Sequence, residues 1–180
     1  MIVAVNIQAP DEDPKCETIL TGYATNMYVS QKNMYITMPE GDWWSQKGST
    51  IIHKIAADGP NIVFQASGDV AGQALNQFSM DEHEGFFRIA TTTGHVSSRG
   101  STSRNNVYVL DSKLDPVGKL ENLAPGEQTY SARFIGDRCY LVTFKKIDPL
   151  FTIDMSDPNK PRVLGKLKIP GYSSYLHPYD

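Results

Sequence analysis

Apolar residues along this chain gather in short runs, rich in β-branched and aromatic side chains and bounded by Gly, Pro, Asn, Asp and Ser. Runs at residues 2–7, 26–30, 34–38, 49–55, 61–66, 85–92, 106–110, 138–144 and 151–154 predict strands. No window sustains a period of 3.6 over three turns, and residues 70–76 are the one stretch expected to hold a helical turn. Several strands read as hairpins. Gly136-Asp137, between apolar runs, suits a two-residue type II′ turn. Residues 29–35 and 78–86 predict similar pairs with longer tips, the second carrying Asp81-Glu82-His83-Glu84.

The hairpins recur. Asn26-Met-Tyr-Val-Ser30, Asn76-Gln-Phe-Ser-Met80, Tyr130-Ser-Ala-Arg-Phe134 and Tyr172-Ser-Ser-Tyr-Leu176 each follow a stretch containing Gly22, Gly72, Gly126 or Gly171. Their starts at 26, 76, 130 and 172 are 50, 54 and 42 residues apart, the spacing of four-stranded propeller blades. The fold expected is all-β: a partial β-propeller of four-stranded antiparallel blades, about three and a half of them, with the ring not closed. A half blade falls in 1–24, blades in 25–72, 73–127 and 128–172, and the start of another in 173–180. The chain is then expected to be one piece of a larger propeller domain, with further blades on both sides.

Composition narrows the function classes. The 180 residues are 40% hydrophobic and 21% charged with a formal net charge of −3, which excludes disorder and gives no footprint for nucleic acid. No apolar run reaches the roughly 18 residues of a spanning helix. Cys16 and Cys139 have neither redox nor zinc spacing, so no disulfide scaffold or structural zinc is expected. The chain opens on Met-Ile-Val-Ala-Val, which reads as a strand and not as a secretory leader. Nucleophile-elbow, zincin and phosphate-loop motifs are missing, and His83-Glu84 fails as a zincin start because position 87 is Phe. No cofactor is expected.

Long motifs carry a resemblance. Residues 75–92, 105–111, 130–144, 148–158 and 169–180, the last ending His177-Pro-Tyr-Asp180, resemble the bacterial and archaeal secreted proteins with a C-terminal β-propeller domain distantly related to WD repeats. The resemblance is close over residues 70–180 and extends to the first 70 by pattern. It implies a propeller fold and an extracellular or cell-envelope location. It implies no activity, because the family is functionally uncharacterised and supplies no catalytic residues.

Six segments carry candidate chemistry. Trp43 and Trp44, on a long loop, can form a flat platform for a sugar or peptide, or else plug a gap between blades. Residues 95–104 form a Ser-rich basic loop whose Arg99 and Arg104 suit a phosphate, sulfate or acidic glycan, and which reads equally as a loop with no ligand. Asp81 and His83 are the metal-ligand candidates, against the alternative of a solvated turn. Asp154 to Pro161, with its Asp157-Pro158 pair, and Asp111 to Pro116 read as one turn device repeated in successive blades. His177 and Asp180 would lie on the next inner strand, facing a channel.

The function expected is a non-catalytic extracellular or cell-envelope interaction module, contacting a protein or glycan through rim loops such as 41–48 and 95–104. Exposed blade faces add an expectation of self-association. The alternative is part of a hydrolase or lyase with carboxylates or a metal at the channel mouth, completed by blades outside this segment.

Overall fold

A computed structural model describes residues 2–9, 11–18, 22–41, 47–59, 61–97, 100–144, 148–169 and 175–177. Strands β1 (Ile2–Ala4) and β2 (Lys15–Glu17) form a small antiparallel pair. Three larger meanders follow. The first comprises β3 (Asn26–Val29), β4 (Asn33–Glu40), β5 (Ser49–Asp58) and β6 (Asn61–Ala71), hydrogen-bonded in chain order. The second starts with β7 (Gln73–Ala74), a 3-10 turn (Gln77–Ser79) and β8 (Met80–His83), then β9 (Phe86–Thr93). A short hairpin of β10 (Val96–Ser97) and β11 (Gly100–Ser101) precedes β12 (Arg104–Leu110) and β13 (Pro116–Leu123). Both β7 and β8 pair with β9, so this sheet also has four ranks, its first rank broken by the 3-10 turn. The third comprises β14 (Gln128–Ile135), β15 (Arg138–Phe144), β16 (Asp148–Asp154) and β17 (Arg162–Ile169), again in chain order. These antiparallel four-stranded sheets are propeller blades, and the described arc does not close.

Turn chemistry sets the hairpins. Gly136 has φ +49° while Asp137 stays at negative φ, as a type II′ turn requires. The tip of the β8–β9 hairpin is confined to Glu84 and Gly85, at φ +51° and +82°, the type I′ pattern that matches strand twist. Asp81, Glu82 and His83 belong to β8 and are not part of the tip. The helical turn expected within 70–76 is displaced to Gln77–Ser79. Asn76 explains the shift: its side chain accepts the Phe78 N–H at 2.9 Å and its carbonyl the Ser79 N–H at 3.1 Å, while residues before it are taken up in β6 and β7.

The core lies between blades. Tyr35, Ile52 and Val70 of the first pack on Phe87, Ile89, Leu110 and Leu114 of the second. Ala90, Val107 and Val109 of the second pack on Phe134, Cys139, Leu141, Phe151 and Ile153 of the third. Because side chains alternate along a strand, β9 sends Phe87 and Ile89 to one neighbour and Ala90 to the other. Each fully buried large apolar side chain contributes about 1.5–3 kcal/mol by leaving water.

Two outer-strand glycines let the blades meet closely. A Cβ on Gly68 would lie 2.4 Å from the Leu114 carbonyl oxygen, and one on Gly118 would lie 2.0 Å from that of Pro158. In both cases the turn after the third strand of one blade presses on the outer strand of the blade before it. Gly165 holds the same register as Gly118. Gly118 sits opposite Val109 and, through it, Arg88, the third residue of β9; Gly165 sits opposite Thr152 and, through it, Tyr140, the third residue of β15. Among the described residues nothing lies within 4 Å of a Cβ built on Gly165.

Candidate functional site

The first ranks of the three blades, β3, the β7–β8 rank and β14, converge on the 3-10 turn at Gln77–Ser79. Between them lies an open cleft of about 450 Å³. Met27 and Val29 come from β3, Phe78 and Met80 from the turn and β8, and Arg133 from β14. The Arg133 guanidinium carbon stands 5.0 Å from the centroid of the Phe78 ring, a cation–π geometry. Tyr175 meets the same ring in an edge contact at 5.3 Å, and His177 stacks on Tyr175 at 6.2 Å. His177 therefore reaches this side of the arc through Tyr175, and its side chain is exposed.

Arg133 and Arg88 are close in the fold and opposite in circumstance. Arg88, 3% exposed, is bound twice by Asp81, with Nε at 3.0 Å from Oδ2, and donates from Nη1 to the Gly136 carbonyl at 2.7 Å. It also lies 5.2 Å from the Phe134 centroid, so one guanidinium ties its own inner strand to the turn of the next blade. His83 Nε2 lies 3.4 Å from Asp137 Oδ1 across the same seam. Arg138 and Arg162 both bind Asp154, and Arg104 donates to the carbonyls of Thr102 and Ser103. Among the described residues Arg133 alone of the arginines has neither a carboxylate nor a carbonyl partner.

Glu82 closes the seam on the other side. Asn33 Nδ2 donates to Glu82 Oε1 at 2.7 Å, Ser30 Oγ donates to Oε2, and the Glu82 N–H donates to Tyr28 Oη at 3.2 Å. Tyr35 stacks on Phe87 at 4.1 Å beneath them. Burial pushes the hydroxyls of both Tyr28 and Tyr35 above the usual phenol range. Burial also pushes the Cys139 thiol up to about 12, which makes it an unreactive packing group. The acidic stretch of β8 is thus spent on joining blades. Asp81 and His83 turn to different partners, Arg88 and Asp137. Among the described residues no group of three His, Cys, Asp or Glu side chains could hold a metal ion.

On the opposite rim, hydroxyls and amides carry the crossovers from blade to blade. Thr92 and Thr129 both donate to Asn105 Oδ1 at 2.9 Å, and Asn105 Nδ2 donates to the Leu123 and Glu127 carbonyls at 3.1 Å. The Gly72 N–H reaches the Gly48 carbonyl at 2.8 Å, as that of Gly126 reaches Ser103 at 2.9 Å. Gly72 has φ +85°, and a Cβ there would stand 2.7 Å from the Thr92 carbonyl oxygen, so only glycine fits.

Strand direction places Gly41 and Gly48, and Gly94 and Ser103, on this same rim. Trp43, Trp44, Arg99 and Asp180 lie outside the described residues. Among the described residues of the basic stretch, Ser101 Oγ pairs with Ser103 Oγ at 2.8 Å and Thr102 Oγ1 accepts the His95 N–H at 3.3 Å. The Asp157 turn forms as its composition predicts, with the Asn159 N–H on Asp157 Oδ1 at 3.0 Å. Asp111 forms its own version, accepting the N–H groups of Lys113 and Asp115 at 2.8 and 3.0 Å.

Arg133 and Phe78 were visible in the sequence only as members of two repeat signatures. The available signal was a basic residue inside the inner-strand run Tyr130-Ser-Ala-Arg-Phe134, where the equivalent stretches of the other repeats carry none.

The chain is 50% identical over 135 residues to an uncharacterised protein of Methanocaldococcus jannaschii, a match covering 75% of this chain and 21% of that protein. It is 44% identical over 116 residues to an uncharacterised protein of Archaeoglobus fulgidus, covering 64% and 18%. The chain spans about a fifth of the length of these relatives. Among the described residues no helix is long and apolar enough to cross a membrane. A family model described as a beta propeller domain matches residues 1–180, in accord with the four-stranded antiparallel blades, and the chain belongs to that family.

Proposed function

We propose that the protein is a non-catalytic interaction module of the cell surface or envelope, holding a protein or glycan ligand against the inner strands and the rim loops. The observation that carries this reading is the cleft itself. Three rigid blades bring apolar side chains and an unpaired guanidinium to one open concavity of about 450 Å³. Location outside the cytoplasm rests on the resemblance to secreted proteins whose propellers are distant kin of WD repeats. The same reading takes the three sheets as consecutive blades of a longer ring, with a half blade in 1–24 and the start of another in 173–180. Two observations support it: the open Gly165, in the register where Gly118 receives a neighbouring blade, and the greater length of the relatives.

The test is a binding screen of the full chain against peptide and glycan arrays, read beside a variant carrying Phe78→Ala. Binding to one class, weakened by that substitution, is the expected outcome. Equal signal from both proteins, or no binding to either array, would overturn the reading.

A further inference from the structure

We infer that the inner-strand cleft binds an extended peptide segment in which a carboxylate side chain sits beside apolar ones, the carboxylate on Arg133. The inference rests on the interaction-module reading and specifies its ligand.

A guanidinium presents its donors in a planar fork that matches a carboxylate, and every other described arginine has found an oxygen acceptor within the protein. Arg133 has not, although Asp81 lines the same cleft, because Asp81 is held by Arg88. Arg133 is half-buried and rests on Phe78, which fixes its plane and leaves its fork free. A carboxylate arriving there gains a charge-assisted, bidentate pair in a setting drier than the open surface.

The surrounding wall distinguishes a peptide from a sugar. Sugars dock on open aromatic faces, but the Phe78 ring already carries Arg133 and Tyr175, and Tyr28 is drawn into the Tyr35–Phe87 cluster. What the cleft offers instead is aliphatic and thioether surface. Met27 and Val29 are each 53% exposed, above a floor closed by the buried Met80. Methionine adapts to varied apolar side chains. Beside them β3 is hydrogen-bonded on one side only, to β4, so its outer edge can receive an extended backbone.

The experiment measures fluorescence anisotropy of a labelled heptapeptide alternating Asp and Leu, titrated with the full chain. Its controls are the same peptide with Asn for Asp and an unlabelled oligogalacturonate as competitor. The Asp peptide should bind at least tenfold more tightly than the Asn peptide. Arg133→Gln should abolish that preference while leaving the melting temperature unchanged, and Arg133→Lys should restore part of it. Equal affinity for the two peptides, or an Arg133→Gln protein that keeps the preference, overturns the inference but leaves the module reading standing. Displacement by oligogalacturonate at lower concentration than by unlabelled Asp peptide assigns the site to a glycan and also overturns it. Failure of peptides and glycans alike to bind overturns both.

Discussion

Replacing Gly118 by alanine puts a methyl group 2.0 Å from the carbonyl oxygen of Pro158, inside the contact where the third blade leans on the outer strand of the second. Pro158 is held by the turn in which the Lys160 N–H reaches the Asp157 carbonyl at 3.0 Å, so the obstacle is backbone and has little room to yield. Overpacking of this kind costs about 1–3 kcal/mol. Against it stands the gain of about 0.5–1 kcal/mol from exchanging glycine for alanine in a strand. Taking about 2 kcal/mol as the net loss, a chain of this length should melt about 4–8 °C lower. Gly165→Ala makes the same exchange in the same register of the third blade, where no described residue lies within 4 Å, and should raise the melting temperature by about 1–4 °C. Thermal unfolding followed by far-UV circular dichroism, with urea titrations of both variants, reads the contrast directly. A Gly118→Ala protein as stable as the parent, or equal losses from the two variants, would refute the argument that these glycines exist for blade-to-blade contact. In a longer chain that continues with a further blade, Gly165→Ala should change sign and become destabilising.

Asp81→Ala strands the buried Arg88 guanidinium, and breaking such a pair costs about 3–5 kcal/mol; Arg88→Met, which removes the charge, should cost less when both are compared by urea denaturation. The hydroxyl and N–H of Ser156, then Arg162 and Arg138, hold the Asp154 carboxyl at about 2, below its ordinary 3.8. Its folded form is the better acid, so its contribution is present above pH 4 and is lost as pH falls toward 2; Asp154→Asn should flatten that part of the stability–pH curve. Leu167, 61% exposed, pairs with Leu150 as the buried Val107 pairs with Leu120 one blade earlier. Sedimentation equilibrium should show concentration-dependent association of the chain that Leu167→Lys weakens without lowering its melting temperature, and a strictly monomeric parent would count against the open-face argument.

The elements that reading from the residues located best are those whose signal is local. Gly136-Asp137 marked a two-residue turn because a positive φ at the first central position is cheap for glycine alone, and the flanking period-two pattern then dictated the pairing of Ile135 with Arg138. The repeat of such hairpins at blade spacing specified a propeller arc. The Asp81–Glu84 stretch shows where that reasoning stops. Its charge density suggested a wet tip, yet the tip needs only two residues of positive φ, and Glu84 with Gly85 supplies both. Asp81 and Glu82 then fall on the strand, where Asp81 meets Arg88 across the hairpin and Glu82 meets Ser30 and Asn33, 52 and 49 residues away.

Strand content, hairpin register and the propeller class were determined by the sequence, because backbone conformation and side-chain alternation act within a few residues. Tertiary structure decided which polar groups were consumed and which remained. Asn33 meets Glu82 and Arg88 meets Gly136 across 49 and 48 residues, contacts that exist only once blades pack face to face. Asp81 neutralises Arg88 within its own hairpin and the next blade covers it, whereas Arg133 faces an open cleft, though both are single arginines within apolar strands. The physical reason is that a charge takes its meaning from the dielectric and the partners around it, and in a propeller burial and the long-range partners are set between blades.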